Sequence, residues 1–490
     1  MATHEEETHK KFIDLERYGY QKERRDHWDR ISRESNNPAR PGAFYHQLLE
    51  KYYQFLIPPG LRILELGCGQ GDLLASLRPS IGVGVDFSGE AICCGSKRHP
   101  DLLFVQADAH DFSFKGTFDV IVFSDLVNDL WDVQCVFENL RPLCHRRTRL
   151  IMNFYNNLWR VPLSVVKQLG LGASVLNQNW FSPHDVLNLL GLSGFEVFKL
   201  IPAILFPLQV PFVSSFANRF LANILPFKWV TLTNYVVARP APDQVQTSFS
   251  ETPSISVIIP AKNESGNIEG ILKRMPDLGN NSELVFVEGN SSDNTYETIK
   301  RLIEEFPERT CRLYRQPARG KGDAVRLGFE KAKGDVLIIL DADLTVPPED
   351  LPRFIHALVS GGGEFINGVR LVYPTGEKAM RFFNIMGNKF FSLMFSWLLG
   401  QPIKDTLCGT KALWKRDYEL IAANRAYFGD FDPFGDFDLL FGAAKLNLKI
   451  VEMPIRYRFR TYGTSNISRW RHGLALFKMV FFAAKGIKFI

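Results

Sequence analysis

A polar segment bounded by prolines divides this chain of 490 residues into two parts. The segment reads PAPDQVQTSFSETP, residues 240–253, and has little apolar periodicity, which is typical of a linker. On each side of it, apolar strand-like segments alternate with helix-like segments, a pattern that indicates α/β folds with mostly parallel sheets. Because one hydrophobic core rarely serves so long a chain, the sequence predicts two α/β domains, residues 1–240 and 254–490, joined by a linker at 241–253.

The composition narrows the choice of environment and partners. Seven cysteines without Cys-x-x-Cys spacing argue against a disulfide framework or a zinc site and favour a reducing cytoplasm. The opening MATHEEETHKKF has no apolar signal-peptide core, and no apolar run approaches the ~20 residues of a membrane span. A net charge of +5 permits an anionic partner but does not demand nucleic acid. We therefore expect a soluble or peripheral protein that does not bind nucleic acid.

The first domain contains a glycine-rich turn between a strand and a helix. The stretch LRILELGCGQGDLLASL places Gly67, Gly69 and Gly71 in that turn. Glycine lets the strand turn directly into the helix and lets a ligand approach the backbone closely. A tight turn without any ligand is the alternative, because the motif is short.

Acidic residues follow the next strands of this domain. Asp86 ends a strand in GVGVDFS, where a carboxylate can accept hydrogen bonds from both hydroxyls of a ribose. Asp108 ends a third strand in LLFVQADAHDF, and FDVIVFSDLVNDL supplies a fourth strand. The order of these elements predicts a nucleoside-containing ligand.

This spacing resembles the class I S-adenosylmethionine-dependent methyltransferases over about residues 40–240. The resemblance implies a Rossmann-like fold in which Glu65, Gly67 and Gly69 frame the methionine part of S-adenosylmethionine. It likewise implies that Asp86 holds the ribose and Asp108 the adenine edge. A nicotinamide-binding fold is the rival interpretation, but the acidic Glu65 and the third-strand sequence ADA favour the methyl donor.

The sequence leaves the methyl acceptor open. Asp125, Asn128 and Asp129 follow the fourth strand and are candidates, whereas carboxylates that cap the next helix are the alternative. The apolar, proline-broken stretch 154–230 is compatible with a lid over an apolar acceptor and equally with an extended hydrophobic core. A domain that binds the cofactor without transferring methyl is a further alternative.

The second domain carries two aspartates directly after an apolar strand. In GDVLIILDADLTVPPEDL, Asp341 and Asp343 follow the run 336–340. Because the carboxyl ends of such strands border the ligand crevice, the pair can hold one divalent cation, Mg²⁺ or Mn²⁺, that neutralises the diphosphate of a nucleotide sugar. A surface loop or a helix cap is the alternative for a D-x-D pair taken by itself. Lys321 opens a helix in the basic glycine loop RGKGDAVRLGF, a good position for a phosphate.

Eight motifs follow one another in this domain. They are VIIPAKNE, VFVEGNSSDNT, RGKGDAVRLGF, LDADLTVPPEDL, INGVR, DTLCGTKAL, FGDFDLL and EMPIRYRFRTYGTSNI, within about residues 253–470. In this order they resemble the family 2 glycosyltransferases with a GT-A fold, and among these the dolichyl- or polyprenyl-phosphate sugar synthases. The resemblance implies these roles: Pro260, Glu264 and Glu288 at the nucleotide base and ribose, Asp341 and Asp343 at the metal and the diphosphate, and Arg370 and Arg460 at phosphates.

Two positions depart from the family pattern. Glu288 is followed by glycine where many relatives carry two aspartates. Arg460 is followed by the loop 463–466, Gly-Thr-Ser-Asn, which lacks the usual lysine. We include Ser465 of this loop, together with Lys321, among the predicted substrate-binding residues.

The nature of the sugar acceptor decides whether a base is needed. A lipid phosphate is already an anion, and arginines would bind it bidentately. A saccharide hydroxyl would need a carboxylate to take its proton, and Asp436 or Asp438 in FGDFDLL is the candidate. A carboxylate at a helix N-terminus is the alternative interpretation of both.

Two segments combine aromatic, aliphatic and basic residues. They are residues 380–402 and the C-terminal stretch ISRWRHGLALFKMVFFAAKGIKFI. The composition predicts amphipathic helices at a lipid surface, with core-packing helices as the alternative. We therefore expect a peripheral protein at the cytoplasmic face of a membrane.

The sequence thus predicts a bifunctional enzyme. Its second domain would move a sugar from a nucleotide sugar to a polyprenyl phosphate, with Asp341, Asp343 and Asp436 as the catalytic residues. Its first domain would transfer methyl from S-adenosylmethionine to an acceptor that the sequence does not identify. The alternative is a glycosyltransferase acting on a glycan hydroxyl, with a glycan-methylating or a non-catalytic cofactor-binding domain.

Overall fold

The structure is a computed structural model. It describes residues 2–34, 42–168, 176, 178–242, 253–279, 281–318, 320–370, 382–425, 437–455, 457–458, 460, 462 and 469–488. The chain separates into two compact units, Met1–Ala241 and Pro242–Phe489. Each unit is an α/β fold with one mixed sheet, which confirms the predicted fold class.

The first unit is built on a seven-stranded sheet in the order β3-β2-β1-β4-β5-β7-β6. The strands are parallel except β7, which runs antiparallel to both β5 and β6. The strands are β1 Arg62–Leu66, β2 Ile81–Asp86, β3 Leu103–Gln106, β4 Phe118–Phe123, β5 Cys144–Tyr155, β6 Phe195–Ala203 and β7 Thr233–Pro240.

Helices cover both faces of this sheet. They are α1 Ala2–Glu34, α2 Ala43–Leu56, α3 Asp72–Ser76, α4 Gly89–Arg98, α5 Val133–Leu140, α6 Arg160–Gln168, α7 Pro183–Leu192 and α8 Val213–Arg219. Alternate residues of the central strands enter opposite cores: Leu64 and Phe123 enter one, and Ile63 and Val122 enter the other. The central strands are therefore apolar throughout, as buried parallel strands are.

The second unit has a seven-stranded sheet in the order β10-β9-β8-β11-β13-β12-β14. Only β13 is antiparallel to its neighbours, β11 and β12. The strands are β8 Ile255–Ala261, β9 Ser282–Glu288, β10 Cys311–Arg315, β11 Val336–Ile339, β12 Phe365–Val369, β13 Lys411–Trp414 and β14 Ile450–Pro454.

The helices of this unit pack on both sides of its sheet. They are α9 Ile268–Arg274, α10 Thr295–Glu305, α11 Lys321–Lys331, α12 Leu351–Val359, α13 Phe382–Leu399, α14 Lys415–Ala423, α15 Phe437–Lys445 and α16 Arg469–Ile487. Among the described residues, no helix is both long enough and apolar enough to cross a bilayer.

Helices α13 and α16 pack against each other through aromatic rings. The ring of Phe477 lies 5.6 Å from that of Phe390 and 5.2 Å from that of Phe391. Met479 and Val480 of α16 are buried in the core. Helix α16 is therefore partly a core-packing helix, and its predicted contact with lipid stays a prediction.

Candidate active sites

Three parallel strands of the second unit bring acidic residues to one edge of the sheet. Ala261 at the end of β8 pairs with Glu288 at the end of β9. Leu340, directly after β11, donates its backbone N–H to the carbonyl of Ile258 in β8. The turns that follow these strands therefore start side by side, as a ligand crevice at the carboxyl ends requires.

Asp343 and Glu264 share one cation. Arg460 donates a hydrogen bond from Nη2 to Oδ2 of Asp343 over 2.7 Å, and the same nitrogen lies 3.3 Å from Oε1 of Glu264. Thr345 donates to Oδ1 of Asp343 from its backbone N–H at 3.1 Å and from its hydroxyl at 2.7 Å. Asn267 donates to Oε2 of Glu264 over 2.7 Å. Both carboxylates are therefore fixed in orientation.

The pKa values of these two carboxyl groups shift in opposite directions. Burial raises the pKa of Asp343, but the hydrogen bonds from Arg460 and Thr345 outweigh burial and leave that pKa below its ordinary value. Burial raises the pKa of Glu264 above its ordinary value, although Arg460 and Asn267 act in the opposite direction. Asp343 is therefore held as an anion, the form that a metal ion needs.

Asp341 is paired with the lysine that opens α11. Lys321 Nζ lies 2.6 Å from Oδ1 of Asp341, and Gly320 before it has a φ of +103°. A Cβ atom added at Gly409 would clash with both Lys321 Nζ and Asp341 Oδ2. Gly409, from the motif DTLCGTKAL, therefore keeps open the space beside this pair.

Glu288 holds the turn after β9. Its Oε1 accepts a hydrogen bond from the backbone N–H of Ser291 at 2.5 Å, and its Oε2 lies 3.5 Å from Nε of Arg315. Pro260 lies within β8, where it pairs with Val287. Both residues lie at the edge predicted for the nucleotide, and their roles in binding it stay predictions.

Arg370 lies in a buried ion pair. It donates from Nε and Nη2 to the two carboxylate oxygens of Asp405 at 2.7 and 2.8 Å, a bidentate arrangement. Burial lowers the pKa of Arg370, but Asp405 outweighs burial and leaves it above its ordinary value. Asp405 also accepts hydrogen bonds from Asn388 and from the backbone of Leu407. No local pattern in the sequence indicates this partner, and the predicted phosphate contact of Arg370 stays a prediction.

Two predicted residues, Asp436 and Ser465, lie outside the described part of the chain. The neighbouring candidate Asp438 is in the first turn of α15. Its Oδ2 accepts hydrogen bonds from Arg326 at 3.3 Å and from Arg425 at 3.2 Å. Asp438 is therefore engaged in ion pairs with two arginines.

The donor set at the D-x-D motif fits a hard divalent cation shared with a substrate. Among the described residues, no cluster of three or more His, Cys, Asp or Glu side chains could hold a metal by itself. Mg²⁺ commonly uses one or two carboxylates and completes its coordination with phosphate oxygens and water. Asp341 and Asp343, next to the space kept open by Gly409, provide that kind of site.

In the first unit, the glycine turn and Asp86 form one hydrogen-bonded structure. Gly67, Gly69 and Gly71 have φ values of +68°, +53° and +78°, which glycine adopts readily. Asp86 accepts from the backbone N–H of Gly69 at 2.8 Å and of Ser88 at 2.9 Å. Each of its oxygens keeps a lone pair for a ribose hydroxyl.

Glu65 is buried at the end of β1 and has an unsatisfied atom. Among the described residues, its Oε2 has no hydrogen-bond partner, and burial raises the pKa of this carboxyl well above its ordinary value. A buried acceptor without a donor is costly. The residue therefore suits a ligand that brings a donor and a positive charge, such as the amino acid end of S-adenosylmethionine.

Asp108 is already engaged on both oxygens. Oδ1 accepts from the backbone N–H and from Nδ1 of His110 at 2.8 and 2.6 Å, and Oδ2 accepts from Gln21 at 2.6 Å. Burial raises its pKa, but the hydrogen bonds from His110 leave it below its ordinary value. Its predicted contact with adenine stays a prediction.

The long helix α1 runs along this edge of the sheet. Gln21 reaches Asp108, Ser32 accepts a hydrogen bond at its carbonyl from the side chain of Gln70, and Asp29 accepts one from the hydroxyl of Ser88. The sequence of this segment predicts an N-terminal polar helical lead to the first domain. Contacts so distant along the chain leave no local pattern by which they could have been found.

The turn after β4 is a buried polar network. Asp125 has a φ of +54°, and its Oδ1 accepts hydrogen bonds from Tyr45 at 2.9 Å and from Asn153 at 2.5 Å. Burial raises the pKa of Asp125 above its ordinary value. The cap of α5 is Asp132 instead, which accepts from Cys135. Asp125 is therefore not the helix cap that the alternative interpretation required.

Each of the two units contains a stretch that matches a known protein family. Residues 63–146 match the model of the family described as Methyltransferase domain, and residues 256–419 match that of Glycosyl transferase family 2. The chain joins a methyltransferase domain to a family 2 glycosyltransferase domain. The predicted fusion is therefore confirmed.

Curated relatives match within the chain at moderate identity. The dolichol-phosphate mannosyltransferase of Pyrococcus furiosus is 32% identical over 218 residues, which are 44% of this chain and 59% of the relative. The undecaprenyl-phosphate 4-deoxy-4-formamido-L-arabinose transferase of Edwardsiella ictaluri is 33% identical over 119 residues, 24% of this chain and 37% of the relative. The chain thus spans less than two thirds of the length of each of these relatives.

A solved structure of glucosyl-3-phosphoglycerate synthase from Mycobacterium tuberculosis resembles the chain at 18% identity. The match covers 48% of this chain and 80% of that protein, with a TM-score of 0.36. A similarity this low does not bear on the chemistry of the site.

Proposed function

We propose that the glycosyltransferase domain transfers a sugar from a nucleoside diphosphate sugar to a polyprenyl phosphate. The observation that carries this proposal is the pairing of charge at the D-x-D motif, where Lys321 pairs with Asp341 and Arg460 with Asp343. A substrate that brings a cation and several phosphate oxygens can replace both pairings at once. The names of the two curated relatives contain dolichol phosphate and undecaprenyl phosphate, which supports a polyprenyl phosphate as the acceptor.

Asp341 and Asp343 would hold Mg²⁺ or Mn²⁺ in this reaction. When bound, the ion supplies positive charge that neutralises the diphosphate as it leaves. Lys321 and Arg460 would then leave their carboxylates and bind phosphate oxygens, since both are flexible cations already at the site. Pro260, Glu264 and Glu288 would contact the nucleoside, with Arg370 and Ser465 completing the substrate site.

The transfer is inverting. A phosphate oxygen of the acceptor attacks the anomeric carbon from the side opposite the diphosphate, and a new C–O bond forms. The bond from that carbon to the diphosphate oxygen breaks, and its electron pair leaves with the nucleoside diphosphate. Because the acceptor is already an anion, no residue has to remove a proton. This matches the pairing of Asp438 with two arginines.

The glycosyltransferase domain would act at the cytoplasmic face of a membrane. Phe481 of α16 and Leu393 of α13 are 78% and 73% exposed. Lys478 and Lys485 are on the same helix as Phe481, and basic and aromatic side chains suit the lipid interface. A polyprenyl chain is itself membrane-bound, so this face brings the enzyme to its acceptor.

The methyltransferase domain would bind S-adenosylmethionine and transfer its methyl group to an acceptor yet to be identified. Glu65, Gly67 and Gly69 would hold the methionine part, and Asp86 the ribose. The orphaned Oε2 of Glu65 supports this assignment, because a positively charged ligand would satisfy it. When bound, the cofactor supplies an electrophilic methyl group.

The sugar transfer can be tested directly. The purified full chain would be incubated with Mg²⁺, a panel of radiolabelled nucleotide sugars and polyprenyl phosphate, and label would be counted in an organic extract. We expect organic-phase label that disappears with a chelator and with Asp343→Asn, and that persists with Asp335→Asn, a matched change at an exposed aspartate that accepts hydrogen bonds from Ser254. Label that stays aqueous and moves to an added oligosaccharide would instead support a glycan hydroxyl as acceptor.

A further inference from the structure

The methyltransferase domain has an exposed apolar surface formed by residues 157–165 and 205–230. Large side chains with high exposure are Leu158, Val161, Leu208, Phe212, Phe216 and Trp229. Phe212 is 91% exposed and Trp229 is 66% exposed. Single exposed hydrophobic residues are ordinary, but contiguous apolar patches mark interaction surfaces.

The two segments are joined by hydrogen bonds beneath that surface. Trp159 donates its ring N–H to the carbonyl of Val230 at 2.9 Å. The side chain of Asn156 donates to the carbonyls of Trp229 and Thr231, both at 3.1 Å. The apolar side chains therefore belong to one surface with a fixed backbone.

The polarity of α8 is the reverse of that expected for a helix facing water. Its buried residues include Ser214 and Asn218, whereas Phe216 is exposed. Asn218 accepts from the backbone of Leu205 and of Phe206 at 2.9 and 2.7 Å. Ordinary surface helices turn their apolar residues inward. This reversal explains why the sequence of 154–230 is compatible both with a lid and with an extended hydrophobic core. The hydrophobic residues are present, but they face outward.

The charge of this surface has one sign. No aspartate or glutamate occurs in residues 139–184 or 197–242. The cations Arg160, Arg219 and Lys228 lie within or beside the apolar segments. Apolar segments whose own charged side chains are all cationic are complementary to anionic lipid headgroups above acyl chains.

We propose that the apolar surface of the methyltransferase domain docks onto an anionic lipid bilayer. The fixed backbone, the reversed polarity of α8 and the absence of acidic residues carry this inference, which is independent of the sugar transfer proposed for the other domain. A second copy of the chain is a poorer occupant, because each copy would present cations to the cations of the other.

The surface adjoins the polar network at the end of β4. Tyr155, whose ring lies 6.0 Å from that of Tyr45, is three residues before Leu158, and Tyr45 binds Asp125. Docking would therefore bring this end of the sheet to the lipid headgroups.

The experiment uses the full chain and vesicles of phosphatidylcholine with and without phosphatidylglycerol. All proteins would carry Leu393→Glu and Phe481→Glu, which removes the apolar face of the glycosyltransferase domain. In this background we expect flotation with phosphatidylglycerol vesicles that falls about tenfold in affinity with Phe212→Glu and Trp229→Glu together. Lys228→Glu should lower affinity about fivefold and only for the anionic vesicles.

Brominated lipids give a second readout. Contact with them should quench tryptophan fluorescence, and Trp229→Phe should remove part of that quenching while circular dichroism and S-adenosylmethionine binding stay unchanged. Equal vesicle affinity with and without Phe212→Glu and Trp229→Glu would overturn the proposal. The proposal would also be overturned if these substitutions abolished self-association of the chain and left vesicle binding unaffected. That result would assign the surface to a second copy of the chain.

Discussion

Arg460 links the C-terminal part of the glycosyltransferase domain to Asp343 of the D-x-D motif, with Nη2 and Oδ2 2.7 Å apart. The same guanidinium lies 3.3 Å from Glu264, which follows β8. One arginine thus holds carboxylates from two turns that are separate in sequence. In the proposed sugar transfer, this arginine would move from a carboxylate to a phosphate.

We expect Arg460→Ala to lower kcat/KM for sugar transfer about a hundredfold or more, because charge that develops on the leaving diphosphate loses a preorganised donor. Arg460→Lys keeps the charge but not the planar fork and should retain part of the activity. Steady-state kinetics with purified variants checks this. Equal activity of Arg460→Ala and the wild type would remove Arg460 from the phosphate site.

Gly409→Ala should abolish most sugar transfer without unfolding the domain. Its Cβ would displace Lys321 and Asp341, and a displacement of about 1 Å at a reacting group can cost about a hundredfold in rate. Gly387→Ala is the matched control, since a Cβ there meets no atom of the described residues within 4 Å and should stabilise α13 by roughly 0.5–1 kcal/mol. Thermal melts and transfer assays on both variants test this. Full activity of Gly409→Ala would show that the space beside Asp341 is not needed.

Glu65→Gln should weaken binding of S-adenosylmethionine about tenfold or more, because a hydrogen bond to a charged group contributes roughly 1.5–3 kcal/mol. The ligand-free protein should lose no stability, since the change removes a buried charge. The folded pKa of Glu65 is raised, so ligand-free wild type should lose stability as the pH rises above about 4.3, the ordinary glutamate value. Glu65→Gln should not show this loss.

Calorimetric titration and pH-dependent melts measure both effects. Glu138→Gln, at an exposed position whose carboxylate accepts a hydrogen bond from Gln134, is the control and should change neither. A Glu65→Gln variant that binds the cofactor as tightly as the wild type would contradict the assignment of Glu65.

Asp405→Asn should destabilise the glycosyltransferase domain by about 3–5 kcal/mol, because it leaves Arg370 buried without its counter-charge. Burial raises the pKa of Asp405, but Arg370 outweighs it and leaves that pKa lowered. The stability that the ion pair contributes is therefore complete above about 3.9, the ordinary aspartate value, and is lost as the pH falls below it. Urea unfolding at a series of pH values measures this. Asp335→Asn, at an exposed site, should cost under about 1 kcal/mol, and an equal effect of the two changes would argue against the ion pair.

Local patterns in the sequence were enough to predict the two folds and the positions of the glycine turn, Asp86 and the D-x-D motif. Each of these depends on a strand and the few residues after it, so alternation of apolar and polar residues locates it. The same logic predicted that Lys321 opens a helix, as α11 does.

Pairings between distant residues could not be predicted in this way. Arg460, one partner of Asp343, is 117 residues away along the chain, and Gln21, one partner of Asp108, is 87 residues away. Arg370 was interpreted as a phosphate ligand because nothing in the sequence near it reveals Asp405 as a partner. The stretch 205–230 was ambiguous for another physical reason: composition reports how apolar a segment is, but not which side of it faces water.

The contacts of helix α1 bear on the rate of cofactor exchange. Its residues Gln21, Asp29 and Ser32 contact the turns after β3, β2 and β1, the turns that would surround a bound cofactor. In the proposed methyl transfer, exchange of spent cofactor for fresh would break these contacts, and the opening rate of the helix would set an upper limit on turnover. The methyltransferase domain would therefore hold its product for as long as α1 stays closed, and opening of this N-terminal helix would limit the rate of the reaction.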